Sequence, residues 1–83
     1  MTTYILYNGA APYAMSPDKR MIRYMANGLI DKICVEKGIT RKLCLTYSYF
    51  KIGVLDKLMM DGKVENDYFS LRIVECNADC YFF

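Results

Sequence analysis

The stretch SPDKRMIRYMANGLIDKICVEKG, Ser16 to Gly38, carries start, stop and periodicity signals for one helix, and it limits the fold more than any other part of the chain. Ser16 is placed to accept orphan amide hydrogens at a helix start. Pro17 loses nothing at a first helical position, and Asp18 meets the positive end of the dipole. At the far end, Lys37 puts a cation in the last turn and Gly38 is free to turn left-handed. Between them Ile22, Met25, Ala26, Leu29, Ile30 and Ile33 recur at helical spacing, with Arg20, Arg23, Asn27 and Asp31 opposite. The spacing predicts a helix over about 17–37. Gly28 in its middle marks a kink or a close approach.

The flanking segments read as strands and one further helix. Tyr4 to Tyr7 is β-branched and aromatic and stops at Asn8-Gly9, whereas Ala10 to Met15 reads as irregular because Pro12 interrupts it. Arg41 to Phe50 alternates, with Leu43, Leu45, Tyr47 and Tyr49 against Lys42, Cys44, Thr46 and Ser48. It is predicted as a strand. Lys51 to Asp61 repeats Ile52, Leu55, Leu58 and Met59 at three to four residues and ends at Gly62, which predicts a short helix over about 51–61. The rival there is a hairpin turning at Asp61-Gly62. Tyr68 to Cys76 is a strand with Phe69, Leu71 and Ile73 on one face. Val74 and Cys76 break its alternation, which points to a bulge or to burial on both faces. The expectation is a single α+β domain over residues 1–83, in the order β-α-β-α-β, with a mainly antiparallel sheet packed by the two helices. Its size leaves room for one modest core.

Charge and composition narrow the function. The net charge is +2, too small to imply nucleic acid by itself. Residues 16–44 hold seven basic side chains against three acidic, and residues 63–83 hold four acidic against two basic. With no histidine, the commonest general base and the commonest metal ligand are both missing. Neither GxGxxG nor GxxxxGK[ST] occurs, so the usual nucleotide cradles are absent. The expectation is a protein that is not an enzyme and needs no cofactor.

Four cysteines stand at Cys34-x9-Cys44 and Cys76-x3-Cys80, without the tight pairs of a zinc site. They are expected as small hydrophobes and free thiols. A Cys76–Cys80 disulfide across Asn77-Ala78-Asp79 is geometrically open but is not expected in a reducing cytosol. At the end of the chain, Tyr81, Phe82 and Phe83 either pin the C-terminal segment onto the sheet, the favoured reading, or contact another chain. No basic leader and no run of about 20 apolar residues appears, so the expected setting is cytoplasmic with no membrane.

Eight tyrosines exceed what so small a core needs, and Tyr13, Tyr24, Tyr47, Tyr49 and Tyr68 are candidates for partial exposure. Tyrosine suits protein interfaces, having a large area, few rotors and one polar tip. The candidate partner-binding residues are Arg20, Arg23, Tyr24, Lys37, Arg41, Lys42, Tyr47 and Tyr49, facing a protein or a nucleic-acid-binding complex. A second copy of the chain is open as a partner too.

Two resemblances follow. In size and composition, with no histidine, no cofactor motif and abundant tyrosine, the chain resembles small phage-encoded inhibitors of bacterial defence, the anti-CRISPR proteins among them. That resemblance implies steric or electrostatic blockade of a larger complex, and it carries over no site residues. The alternative rests on LDKLMMDGKVENDYFSLRIV, which resembles the end of a winged-helix recognition helix leading into a wing. It implies phosphate contacts from Arg41, Lys42, Lys51 and Lys57, with Tyr47 or Tyr49 near bases. RKLCLTYSYF departs from that family, reading as a strand where a second helix is needed.

Overall fold

The computed structural model describes residues 2–77. It is an α+β fold in which a four-stranded, wholly antiparallel sheet carries its helices on one face. The chain runs β1 (Thr2–Asn8), β2 (Ala11–Ser16), α1 (Lys19–Glu36), α2 (Ile39–Leu43), a 3₁₀ turn (Cys44–Thr46), α3 (Tyr47–Asp61), β3 (Lys63–Glu65) and β4 (Ser70–Asn77). The sheet order is β2-β1-β4-β3. The fold class and the antiparallel sheet match the sequence reading. The order of elements does not, because strands pair off at both ends of the chain and the helices lie together between them. The expectations for Cys80 and for Tyr81 to Phe83 lie outside the described residues.

The first correction is β2. Asn8 pairs with Ala11 across a two-residue turn, and Gly9 at its first central position has φ +64°. That is the requirement of a hairpin turn whose twist suits the strands. Pro12 does not break β2, because β2 is an edge strand and Pro12 sits where the register shifts. Leu6 faces Ala14 and Tyr7 faces Pro12, which leaves Tyr13 as the extra residue. Edges and bulges are where a strand tolerates proline.

The α1 start is displaced by two residues. Ser16 is spent pairing with Tyr4, and its Oγ accepts the Asp18 N–H at 3.0 Å. Asp18 is the cap, its carboxylate accepting the Arg20 N–H at 2.9 Å. The stop falls as expected, with Lys37 closing the last turn onto the Ile33 carbonyl and Gly38 at φ +74°. The expected stripe faces the sheet: Ile22, Ala26, Leu29, Ile30 and Ile33 are buried and Met25 packs beside them.

The third correction concerns Arg41 to Phe50, which is helical. A helical series runs through it beneath the alternation: Ile39, Leu43, Tyr47, Phe50, Val54 and Leu58 all turn to the core at spacings of four and three. Leu45 and Tyr49, which the strand reading grouped with Leu43, are 91% and 81% exposed. Cys44, with φ 52° and ψ −111°, takes the strained corner between α2 and the 3₁₀ turn. As a result α3 begins four residues before the expected Lys51. It ends at Gly62, as expected, with φ +80°.

Gly62 also leads directly into β3, and its carbonyl accepts the Ile73 N–H at 2.8 Å. Val64 and Leu71 face each other in the core. Val74 and Cys76 lie opposite Ile5 and Thr3 on the helix-free face, half-buried and without a bulge. The helix α1 covers β1 and β2, whereas α3 covers β3 and β4. Among the described residues no helix is long and apolar enough to cross a membrane.

Candidate protein-binding face

The capped start of α1 fixes the direction of its solvent face. With Ile22 and Ala26 turned inward, Arg20, Arg23, Tyr24 and Asn27 fall on the outer side. Arg20 is 92% exposed and reaches back to Asp18 at 3.5 Å. The backbone hydrogen bond from Arg20, then the guanidinium itself, holds the Asp18 carboxyl below its usual range. Arg23 crosses to α3 and donates to Asp56 at 2.8 Å. Tyr24 lies beside the two arginines, 73% exposed.

These side chains edge a shallow depression of about 350 Å³ over the α1–α3 seam, lined by Arg20, Arg23, Tyr24, Asn27 and Leu55. Lys19 and Met59 extend it past Arg20 and Arg23. The surface therefore combines cations, one exposed aromatic ring and an apolar lining from Leu55 and Met59. Tyrosine and arginine are the side chains that dominate binding energy where proteins meet.

The other expected residues are dispersed. Lys37 donates to the Tyr68 carbonyl at 2.6 Å, tying the end of α1 to the β3–β4 loop. Arg41 and Lys42 are exposed on α2, in the last turn of that short helix. Tyr49, Ile52 and Met60 are exposed on α3, and Leu45 is exposed in the 3₁₀ turn before it. The winged-helix order of helix then hairpin is present, but β4 is an interior strand of the sheet. The outer side of α3 there carries the exposed Tyr49, Ile52 and Met60 together with the charged Asp56 and Lys57.

Tyr47 is half-buried, and its hydroxyl is engaged within the chain. Its hydroxyl donates to Asp31 Oδ1, and Lys51 Nζ lies 3.3 Å from the same oxygen. Tyr47 also touches Cys34, which is fully buried. Burial pushes the Cys34 thiol up, and burial followed by the bond to Asp31 pushes the Tyr47 phenol up strongly. A nucleophilic thiol needs the opposite shift. The group serves to fasten α1 to α3. Among the described residues no three or more cysteines, carboxylates or histidines cluster as metal ligands do.

The raised Tyr47 value has a pH consequence. Below the unfolded phenol's value of 10.0 both states are protonated and the contribution is complete. As pH rises past it the unfolded chain ionises first, and stability falls until the folded phenol ionises too. Tyr47→Phe is expected to cost about 1 kcal/mol at pH 7. It is also expected to flatten the loss of Tm between about pH 9 and pH 11, as read by circular dichroism. An unchanged alkaline slope in the variant would refute this.

Lys19, Leu55 and Met59 are parts of the face that the sequence did not single out. Leu55 and Met59 carry the helical period of core residues, and only the neighbouring α1 shows that they floor a surface. Comparison with protein-family models, with curated proteins and with solved structures found no match.

Proposed function

We propose that the chain is a non-enzymatic protein-binding module that covers an acidic surface of a larger partner. Its resemblance in size and composition to anti-CRISPR proteins gives that role a concrete form, occlusion of a surface of a bacterial defence complex in the host cytoplasm. One observation carries the reading: Tyr24 is 73% exposed and lines one depression with Arg20, Arg23 and Leu55, on a helix whose opposite face fills the core. An exposed ring that shares a depression with two arginines and Leu55 has the makeup of a binding hot spot. The arginines steer an acidic surface toward it.

Affinity capture from the native host, with Tyr24→Ala beside the parent chain, tests the reading. Truncating such an anchor is expected to cost at least about 2 kcal/mol, roughly thirtyfold in Kd. The fold should be unaffected, since Tyr24 makes no core contact. Equal capture by both proteins would show that the partner sits elsewhere.

A further inference from the structure

The two depressions over the α1–α3 seam form one groove, because Arg20 and Arg23 line both. It runs from Tyr24, Asn27 and Leu55 at one end to Lys19 and Met59 at the other, holding about 350 Å³ and about 200 Å³. From Lys19 to Asn27 the helix rises about 12 Å. Leu55 and Met59 lie one turn apart on α3, about 6 Å along its axis. Past Met59 the next depression carries Asp61 and Glu75 beside Lys19 and Tyr4, so the cationic stretch has a definite end.

We infer that the partner's acidic surface reaches this groove as one extended segment of about four residues, in which carboxylates alternate with apolar side chains. The inference rests on the protein-binding reading of the α1 face. Charge selects the occupant. Lys19, Arg20 and Arg23 line the groove, and the carboxylates that the two arginines now hold, Asp18 and Asp56, are 43% and 51% exposed. Pairs as exposed as these contribute little, so carboxylates of a partner displace them at small cost. Spacing selects the extended form. Alternate side chains of a strand repeat at about 6.7 Å, close to the separation of Leu55 and Met59, and four residues span about 13 Å, the length of the basic stretch. One row of side chains then turns to the cations of α1, and the other to Leu55 and Met59 on α3. A docked helix would need apolar anchors at four positions over two turns, and the groove has two depressions.

A photo-crosslinking side chain placed at position 24 or at position 19, both exposed, tests the inference when the adducts formed in the native host are digested and sequenced. Both positions are expected to mark one stretch of one partner, at sites within about five residues of each other, with carboxylates and apolar side chains alternating. The synthetic peptide of that stretch is expected to bind the purified chain in calorimetry, and Arg20→Glu with Arg23→Glu to weaken it at least about a hundredfold. Crosslinks to stretches far apart in the partner's sequence, a stretch without carboxylates, or an adduct from position 24 alone would overturn the inference and leave the protein-binding reading standing. A peptide that fails to bind, or that binds both chains alike, would do the same. No adduct from position 24 would contradict both.

Discussion

Replacing Arg20 and Arg23 together by glutamate is expected to abolish partner capture and leave the protein folded. The Asp18 cap survives, because it accepts from the backbone N–H of residue 20 and not only from the guanidinium. Losing the Arg23–Asp56 pair is a small matter, since its two side chains are 43% and 51% exposed. Such exposed pairs contribute about 0–1 kcal/mol. Binding is affected far more. Each buried arginine anchor in an interface is worth about 2 kcal/mol or more, and the reversed charges repel the surface they had attracted. The combined loss should reach at least about 4 kcal/mol, roughly a thousandfold in Kd. Capture assays beside thermal melts separate the two effects. An unfolded variant would refute the structural part, and a folded variant that still binds would refute the functional part.

The second large effect is in the core. Leu58 is fully buried on α3 against the sheet. Leu58→Ala is expected to lower stability by about 3 kcal/mol, through lost transfer energy and the cavity left behind. For a chain this short that is a large share of a total near about 5 kcal/mol. Leu45→Ala is expected to change stability by less than about 0.5 kcal/mol. Urea titration at low protein concentration, where association does not contribute, compares the two. The pair distinguishes the observed helix from the strand that Arg41 to Phe50 suggests. In a strand Leu45 would share a buried face with Leu43, and its truncation would be as harmful as that of Leu58.

What the sequence showed was local. The helix α1 has its own start, stop and stripe, so its sheet-facing residues could be named in advance. Gly38 and Gly62 ended helices for the same reason, since a left-handed residue is needed just past the last turn. The strand β2 was hidden by Pro12, whose tolerance depends on being at an edge, a fact of pairing and not of composition. The start of α3 was hidden by a coincidence of periods. Leu43, Leu45, Tyr47 and Tyr49 alternate, yet Ile39, Leu43, Tyr47 and Phe50 are the residues that turn inward.

The candidate face divides along the same line. Arg20, Arg23 and Tyr24 were legible because they share one helix. Asp56, Leu55 and Met59 were not, because they come from α3, and the Arg23–Asp56 contact spans 33 positions. Tyr47 is half-buried, in keeping with the partial exposure expected of it, but its bond to Asp31 across the seam was not legible because it joins two helices.

The central claim is that the α1 face covers a partner protein, and a photo-crosslinking side chain in place of Tyr24 tests it most directly. Irradiated in the native host, it should give one dominant adduct, a single host protein enlarged by the 9.6 kDa of this chain. Arg20→Glu with Arg23→Glu should remove that adduct. An adduct formed equally well from position 68, at the opposite end of α1, or none from position 24, would contradict the claim.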